Sequence, residues 1–392
     1  MGKLIGWFAF ALKSVILTWG ICFFLLVFTS CREDVVIYEP EVIPLAPPEY
    51  SSINGFYLLN EGVMGTNKAT LDYYDFTMGE YNRNIYGAAN PGVVKDLGDV
   101  GNDLKIYGNK LYAVINCSNK IEIMDRLSVR RLGQVDIPNC RYIAFHGAYA
   151  YVSSYAGPVE INPEYKTKGY VAKIDTATMA IVDWCNVGYQ PEELVIANGK
   201  IYVTNSGGYR DPHYESTVSV IDLESFEEIK QIEVAPNLHR LRLDGSGNLW
   251  LNARGDHETK PSRLFWINLY TEEVGGELDI PVSNFCIEGD SLYLFGSEFN
   301  SKTKEDEFTY GIVDVRERKI LTRNFITDGT DQEIRLPYGI LVNPFTKDIY
   351  IADARTYVNA GRLYCLDKEG KQKWNVRTGN IPGQMTFLGE LK

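Results

Sequence analysis

The sequence predicts an all-β fold, and three observations indicate a seven-bladed β-propeller. The composition, with 35 glycines and 26 tyrosines in 392 residues, is typical of many turns and strands rather than of helices. An apolar strand that ends in an acid or its amide recurs seven times along the chain. A second strand, centred on an aromatic residue, also recurs seven times. Because two independent patterns give the same count, we expect seven sheets that close into a ring.

The repeat that ends in an acid sets the spacing of the units. Successive copies end 46 to 53 residues apart, as one four-stranded blade requires. The copies end at Asp75, Asp125, Asp175, Asp222, Asn268, Asp314 and Asp367. We expect these side chains to cap the hairpin turns that follow, because Asp and Asn hydrogen-bond to nearby backbone N–H groups. A catalytic ring of carboxylates is the alternative, but these positions fall at turns and not in the central channel.

The aromatic repeat indicates how the ring closes. Its copies are centred on Tyr57, Tyr112, Tyr151, Tyr202, Trp250, Tyr293 and Tyr350. Six units begin with a further strand that closes in a Gly, Asn or Pro turn, and the first unit lacks it. Residues 383–389 (GQMTFLG), after the seventh unit, have the same pattern. We therefore predict that the C-terminal strand completes the first blade and protects the sheet edges of the ring.

The N-terminus predicts a lipoprotein. Residues 14–30 are apolar and uncharged, and they follow a segment that carries two lysines, which is the layout of a secretory signal. The tripeptide Thr29-Ser30-Cys31 resembles the lipobox, in which the cysteine receives acyl chains. An uncleaved transmembrane anchor is the alternative, because about 18 apolar residues can cross a bilayer. The predicted domains are a signal peptide over residues 1–30, a lipidated Cys31 with a Pro-rich tether over residues 31–52, and the propeller over residues 53–392.

Charge and cysteine content argue against several classes of partner and site. The formal net charge is −12, and removal of residues 1–30, which carry two lysines and no acid, leaves −14. We expect no nucleic-acid partner, because binding to phosphates needs a basic surface. The cysteines that remain beyond Cys31 are Cys117, Cys140, Cys185, Cys286 and Cys365. An odd number without CxxC spacing favours buried free thiols over a disulfide framework or a zinc site.

The loop lengths point to one face for ligand binding. With strands A to D counted outward from the axis, the B–C loops and the D-to-A crossovers emerge on the same face of a propeller. The longest predicted B–C loops span residues 153–169, 205–216, 253–262, 297–308 and 352–361. The candidate ligand-binding residues on these loops and crossovers are Asn139, Tyr155, Gln190, Tyr209, Arg210, Tyr214, His239, Arg254, Asn284, Phe299, Tyr338, Arg355 and Tyr357. Aromatic planes, amides and guanidinium groups suit a broad mouth that binds a large ligand.

No motif of a common enzyme class is present in the sequence. HExxH, GxSxG, a Walker loop and a GxGxxG followed by an acid are all missing. We predict no catalytic activity and no cofactor. His213, His239 and His257 belong to the candidate face but lack chelating spacing, which favours surface hydrogen bonding over metal binding. Two short segments, Asp175-Thr176-Ala177 and Asp290-Ser291-Leu292, resemble an O-glycosylation acceptor, and the sequence leaves the use of either open.

Two stretches resemble the YncE-like propeller lipoproteins of gut Bacteroidetes. They are residues 60–75 (NEGVMGTNKATLDYYD) and residues 97–112 (LGDVGNDLKIYGNKLY). Within that group the chain is similar to the BtuG type, surface lipoproteins that capture cobalamin and sit on a BtuB-like TonB-dependent transporter. Arg32-Glu33-Asp34 resembles the acidic signal that sends such lipoproteins to the cell surface. The resemblance implies a cobalamin or corrinoid ligand, a TonB-dependent transporter as partner, and a lipid anchor in the outer membrane with the protein facing the exterior.

The chemistry of cobalamin agrees with the predicted mouth. Amide arms surround its flat corrin ring, so tyrosines would pack on the corrin or base, arginines would meet phosphate or acetamide oxygens, and amide side chains would bond the arms. Two other functions remain open. One is a glycan-binding lipoprotein of a polysaccharide-uptake system, in which flat aromatic loops stack on sugars. The other is a lactonase-like enzyme, which would need a metal cluster of Glu, Asn and Asp in the channel. The fold alone does not decide between them.

Overall fold

The structure, a computed structural model, describes residues 40–45, 53–93, 97–256, 259–300 and 305–389 of the chain. The predicted signal peptide, Cys31 and part of the predicted tether lie outside these residues. Seven antiparallel sheets make up the described part, and each corresponds to one predicted unit. The innermost strands contact one another in sequence around a closed ring. The predicted all-β fold, a seven-bladed β-propeller, is confirmed.

In blades 2 to 7 the strands follow the chain in the order A to D, whereas in blade 1 the innermost strand is β29. Blade 1 contains β1 (Glu41–Pro44), β2 (Ile53–Asn60), β3 (Thr70–Asp75), β4 (Glu80–Arg83) and β29 (Pro382–Gly389). Blade 2 contains β5 (Gly101–Tyr107), β6 (Lys110–Ile115), β7 (Lys120–Asp125) and β8 (Arg131–Asp136). Blade 3 contains β9 (Cys140–His146), β10 (Tyr149–Ser154), β11 (Tyr170–Asp175) and β12 (Ala180–Asn186). Blade 4 contains β13 (Pro191–Ala197), β14 (Lys200–Asn205), β15 (Thr217–Asp222) and β16 (Glu228–Glu233).

The remaining blades have the same order. Blade 5 contains β17 (Leu238–Leu243), β18 (Asn248–Ala253), β19 (Arg263–Asn268) and β20 (Glu273–Leu278). Blade 6 contains β21 (Asn284–Glu288), β22 (Ser291–Asn300), β23 (Glu305–Asp314) and β24 (Lys319–Thr322). Blade 7 contains β25 (Pro337–Val342), β26 (Ile349–Asp353), β27 (Ala360–Leu366) and β28 (Gln372–Asn380). Two short helices, α1 (Ile85–Ala89) and a 3₁₀ turn (Thr330–Gln332), lie in crossovers. Within the described residues, no helix is long and apolar enough to cross a bilayer.

The C-terminal strand closes the ring as predicted. Strand β29 is the innermost strand of blade 1 and pairs antiparallel with β2, with Phe387 opposite Phe56. An aromatic cluster packs blade 1 against blade 7 beside this junction. The ring of Phe56 lies 4.7 Å from that of Tyr350, and the ring of Tyr74 lies 5.1 Å from that of Trp374, centre to centre. Burial of side chains this large contributes about 1.5–3 kcal/mol each, so the junction is an ordinary interface of the core.

The turns at one end of the strands define what we call the turn face, which carries the A–B and C–D turns of every blade. The acid that ends each predicted strand caps a C–D turn. In blade 1, Oδ1 of Asp75 accepts hydrogen bonds from the backbone N–H groups of Thr77 (2.8 Å) and Met78 (3.0 Å). The equivalent residues of the other six blades accept backbone bonds in the same way. The predicted capping role is confirmed.

The opposite end of the strands is the loop face, which carries the B–C loops and the D-to-A crossovers. A residue with positive φ precedes the inner strand in five crossovers. These residues are Val100, Asn139, Gln190, Asn237 and Ile381, with φ between 45° and 62°. A left-handed residue reverses the chain direction as it passes from an outer edge to the next inner strand. The crossovers therefore reach the axis with a fixed, tight geometry.

Strand β1 is a fifth, outermost strand that the sequence places in the tether. It pairs antiparallel with β4, with Glu41 opposite Arg83 and Pro44 opposite Glu80. The guanidinium of Arg83 binds the Glu41 carboxylate at 2.5 Å. The pairing has a simple physical reason, because β4 otherwise presents an open edge with unpaired backbone groups. Since Arg83 ends β4 at the loop face, β1 begins at the loop face and runs toward the turn face.

A second difference concerns the predicted loop at residues 297–308. Most of it is a hairpin extension, because β22 and β23 each have ten residues and remain paired up to Asn300 opposite Glu305. Polar residues on both strands concealed the extension, since a hairpin that projects from the ring needs no apolar face. Blade 6 therefore presents a two-stranded wall at the loop face.

Candidate ligand-binding site

A cavity of about 1000 Å³ opens on the loop face, at the ends of the inner strands. Each of the seven blades contributes residues to its lining. The cavity therefore lies where the loop lengths predict a ligand site, and its volume is at the upper end of the range usual for ligand pockets.

Six predicted ligand residues line this cavity. They are Tyr209, His239, Arg254, Asn284, Tyr338 and Tyr357. Tyr338 and Tyr357 form an edge-to-face pair with ring centres 6.0 Å apart, and Tyr357 is 47% exposed at the rim. Asn284 donates from Nδ2 to the backbone oxygen of Tyr338 at 3.1 Å, which links blades 6 and 7. These side chains combine aromatic surface with polar groups, as predicted for the mouth.

Three predicted residues lie behind the cavity wall and are buried. Asn139 donates from Nδ2 to the oxygen of Gly157 at 2.6 Å, which holds the B–C loop of blade 3. Gln190 accepts at Oε1 from the backbone N–H of Tyr209 at 2.6 Å, which holds the loop of blade 4. Tyr155 donates to Oε1 of Glu192 at 2.5 Å. Asn139 and Gln190 therefore each hold the B–C loop of their own blade, and Tyr155 links the loop of blade 3 to the inner strand of blade 4.

The other predicted residues stabilise loops at the rim or lie outside the described side chains. Arg210 stacks over Tyr189 at 3.9 Å and donates from Nε to the oxygen of Tyr165. Tyr214 donates to the Asp211 carboxylate at 2.9 Å. Arg355 adopts φ 56° in the loop of blade 7 and lies next to the capped end of β26. Phe299 belongs to β22, and its side chain lies outside the described residues.

The floor of the cavity joins three blades across the axis. The guanidinium of Arg240 in β17 donates to the hydroxyl of Tyr142 in β9 at 2.9 Å. With the amide oxygen of Gln384 in β29 directed toward Arg240, that oxygen accepts at 2.9 and 3.1 Å. The hydroxyl of Tyr142 also lies 2.8 Å from Nε2 of His239. Burial, together with nearby Arg254 and Arg240, lowers the pKa of His239 well below its ordinary value, so the ring is neutral.

A second polar layer surrounds Glu192 and Glu193 at the start of β13. Arg141 donates to Oε2 of Glu192 from Nε (3.1 Å) and Nη2 (3.0 Å). Arg254 approaches Oε1 of Glu192 at 3.6 Å. Glu193 forms an ion pair with Arg242; although burial acts to raise its pKa, Arg242 and Arg240 hold it below the ordinary value. The Glu193 carboxylate is therefore ionised, and arginines hold both side chains in place.

Glu61, a carboxylate that lines the cavity, has a raised pKa. It follows β2 in blade 1, and its Oε2 accepts from the hydroxyl of Tyr338 at 2.9 Å. Burial raises its pKa to about 7, against the opposing effects of Tyr338, Arg141 and Arg240. This side chain changes its charge near neutral pH inside the cavity.

Glu61, Arg141, Tyr142 and Arg240 also line the cavity, although they are not among the residues predicted from the sequence. The prediction relied on long loops, whereas three of these residues belong to inner strands. A partial signal is the charge itself, because Arg141 is the second residue of β9 and Arg240 is the third residue of β17. An unpaired charge there requires either a partner in the channel or a ligand.

The cysteines and the other histidines of the described chain do not form a metal site. The five free cysteines include three that are buried, Cys140, Cys185 and Cys365. Among the residues that the structure describes, no three His, Cys, Asp or Glu side chains are grouped so that they could hold a metal ion. His213 is exposed and lies 3.4 Å from the oxygen of Pro163, and His257 is outside the described residues.

Solved structures with a similar fold come from several organisms. A quinonprotein alcohol dehydrogenase-like protein from Bacteroides thetaiotaomicron is 15% identical with a TM-score of 0.60, over 87% of this chain and 80% of that one. A hypothetical selenium-binding protein from Sulfolobus tokodaii is 10% identical with a TM-score of 0.61, over 86% and 93%. Apo AztD from Citrobacter koseri is 11% identical with a TM-score of 0.51, over 86% and 99%. At these identities the likeness shows the fold alone.

Sequence comparison gives the family. No curated protein matches the chain. Residues 54–380, which cover the propeller from its first blade to the end of its seventh, match the family described as a domain of unknown function, DUF5074. The chain belongs to the DUF5074 family.

Proposed function

We propose that this protein binds cobalamin or a related corrinoid at the outer membrane and delivers it to a TonB-dependent transporter, without catalysing a reaction. The observation that carries this proposal is the cavity of about 1000 Å³ on the loop face, to which every blade contributes. A ligand of corrinoid size fills such a space, whereas a small metabolite contacts only one side of it.

The lining has the chemistry that a ring decorated with amide arms requires. Neutral hydrogen-bonding side chains around the wall are Asn102, Asn116, Ser262, Ser283, Asn284 and Ser297. Aromatic surface comes from Tyr209, Tyr338 and Tyr357. The loops are held in place before binding, through Asn139 and Gln190, so little ordering entropy is lost when a ligand enters.

The carboxylates near the floor support binding rather than catalysis. A lactonase-like enzyme would need Glu, Asn and Asp oxygens free to coordinate a metal ion. Here the oxygens of Glu192 accept from Arg141 and Tyr155, and Glu193 accepts from the backbone of Leu241 as well as pairing with Arg242. Partners of this kind neutralise a carboxylate and reduce its use as a ligand or base.

Attachment to the outer membrane is proposed from the sequence, because Cys31 lies outside the described residues. We expect the Cys31→Ala variant to lose metabolic labelling with a fatty acid and to leave the membrane fraction. A variant that is still labelled and processed would contradict the lipobox interpretation.

The binding proposal is tested with the processed chain without lipid, residues 32–392, and cyanocobalamin. We expect the protein to co-elute with the visible absorbance of the corrinoid, and calorimetry to give the affinity. Tyr357→Ala should weaken binding by about 1–4 kcal/mol, as expected for an exposed aromatic side chain that the bound ligand covers. Tyr270→Ala is the matched control, because Tyr270 is 96% exposed on the turn face. Absence of co-elution would reject the corrinoid, and an oligosaccharide screen on the same protein tests the glycan alternative.

A further inference from the structure

The lining of the cavity is divided by charge between opposite sides of the ring. Its cationic side chains all belong to blades 3 and 5, and they are Arg141, Arg240, Arg254 and Lys260. Its carboxylates belong to blades 1 and 6, and they are Glu61 and Glu298. We call the region formed by Arg141, Arg240 and Arg254 the cationic end of the cavity.

At the cationic end, three guanidinium groups share a single carboxylate within 4.0 Å among the described residues. Glu192 is one carboxylate shared between Arg141 (3.0 Å) and Arg254 (3.6 Å). Arg240 is hydrogen-bonded to neutral groups, and the carboxylates that act on it, Glu193, Glu61 and Asp103, lie more than 4.0 Å from its guanidinium nitrogens. The protein as a whole has a net charge of −12, so this cluster of arginines is a local feature of the cavity and not a property of the surface. Arginines that lack a close carboxylate of their own in a partly enclosed site favour an anionic group of a ligand.

The opposite side of the cavity presents apolar surface. Met64 from blade 1, Phe308 from blade 6 and Tyr357 from blade 7 line it. Met64 is 62% exposed and Tyr357 is 47% exposed, so both are accessible from the mouth. We call these three residues the apolar end. Because removing apolar surface from water is favourable, a ligand that covers these exposed side chains binds more tightly.

We propose that the cavity binds its ligand in one orientation, with an anionic group against the cationic end and a partly apolar body against the apolar end. This inference rests on the proposed function and makes it more specific. For a cobalamin the anionic group is the phosphodiester of the nucleotide arm, because the other arms of the corrin end in neutral amides. The corrin edge then lies over Met64, Phe308 and Tyr357.

Arg254 is the residue through which this orientation is best tested. Its side chain is 34% exposed at the mouth, so it reaches a ligand, and its substitution leaves Arg141 to hold Glu192. Arg141 and Arg240 are less suitable, since both are buried in networks between blades. Arg316 provides the matched control, because its side chain is 65% exposed on the turn face.

The experiment compares cyanocobalamin with dicyanocobinamide, which has the corrin ring but lacks the nucleotide arm and its phosphodiester. We expect Arg254→Gln to weaken cyanocobalamin binding roughly 10- to 100-fold, the usual effect of losing a charge-assisted hydrogen bond. The same variant should change cobinamide binding less than about twofold. Arg254→Lys should recover part of the cobalamin affinity. Rising ionic strength should weaken the binding of cyanocobalamin but not that of dicyanocobinamide. Arg316→Gln should bind both corrinoids as the wild type does.

Substitution at the apolar end should not discriminate between the two corrinoids. We expect Tyr357→Ser to weaken both corrinoids by a similar factor, since both possess the corrin edge. Thermal melting of each variant without ligand verifies that the fold is kept. Equal losses of both ligands in Arg254→Gln, or no loss of either, would overturn the orientation while leaving corrinoid binding intact. Binding of neither corrinoid by the wild type would overturn the proposed function and this inference with it.

Discussion

At the scale of single residues, Glu61 opposes folding at neutral pH while it shapes the cavity. Its carboxyl group is hydrogen-bonded to Tyr338 but has lost most of its contact with water, which raises its pKa to about 7. In the unfolded chain the pKa of a glutamate is about 4.3. Between these values the unfolded state releases the proton and the folded state retains it.

The sign of the resulting pH dependence follows from this difference. Stability falls as pH rises from about 4 to about 7 and is lower by up to about 3 kcal/mol above that range. Glu61→Gln removes the ionisation and keeps an acceptor for Tyr338. We therefore expect the variant to be more stable than the wild type at pH 8 and nearly equal to it at pH 4, by denaturant unfolding. Glu317→Gln, an exposed change on the turn face, serves as control, and an identical difference at both pH values would contradict the argument.

The lining residues differ in how far they could be predicted. Tyr209 and Arg254 could be predicted because they lie in long loops rich in turn residues. Packing in a strand does not account for an aromatic or charged side chain in such a loop, so contact with a ligand is the simpler explanation. Arg141 and Arg240 could not, because each belongs to a strand whose register decides whether its side chain points along the channel or between blades. A repeat pattern locates a strand but leaves that choice to the packing of its neighbours.

At the scale of elements, β29 is a strand without which blade 1 lacks its innermost member. Deletion of residues 382–392 removes the partner of β2 and the contacts of β29 with β5 and β25. We expect a sharp fall in melting temperature, measured by circular dichroism, because two blade interfaces and one sheet edge open together. Deletion of residues 390–392 alone is the control. A truncated protein that melts like the full chain would show that the ring closes in another way.

A point substitution tests the same strand where the deletion prevents folding. Phe387→Ala removes an aromatic ring that lies 6.0 Å from that of Phe56. We expect a loss of about 2 kcal/mol in the free energy of unfolding, below the range for fully buried aromatic truncations because Phe387 is partly buried. Tyr270→Ala, at its exposed position, should change stability by less than about 0.5 kcal/mol.

Elements that repeat could be predicted, and elements that do not repeat could not. Strand β29 repeats the pattern of six other inner strands, so its role follows from the missing member of the first unit. Strand β1 occurs once, has four residues, and is specified by the free edge of β4 rather than by its own alternation. The same holds for α1, whose five residues are ordered by Tyr86, which bonds to Glu122 in blade 2 at 2.9 Å.

At the scale of the whole molecule, the cavity couples the stability of all blades to occupancy. Its lining comes from seven sheets, so a ligand that binds only the intact ring stabilises every interface at once. At a cyanocobalamin concentration 100 times Kd we expect the unfolding free energy to rise by about 2.7 kcal/mol, in a single transition shifted as a unit. Denaturant titration with and without the corrinoid measures this, and a shift confined to part of the transition would contradict a site shared by all blades.

Strand β1 also determines how tension on the N-terminal chain reaches the ring. A pull on residue 40 acts first on the four pairs between β1 and β4 and on the Arg83–Glu41 ion pair, while β29 and β2 bear no load. Four pairs separate at far lower force than the eight-residue seam that closes the ring. Their separation would free residues 41 to 52, and these twelve residues span about 40 Å when fully extended. We therefore expect β1 to detach under tension and lengthen the N-terminal segment before the ring itself is stretched.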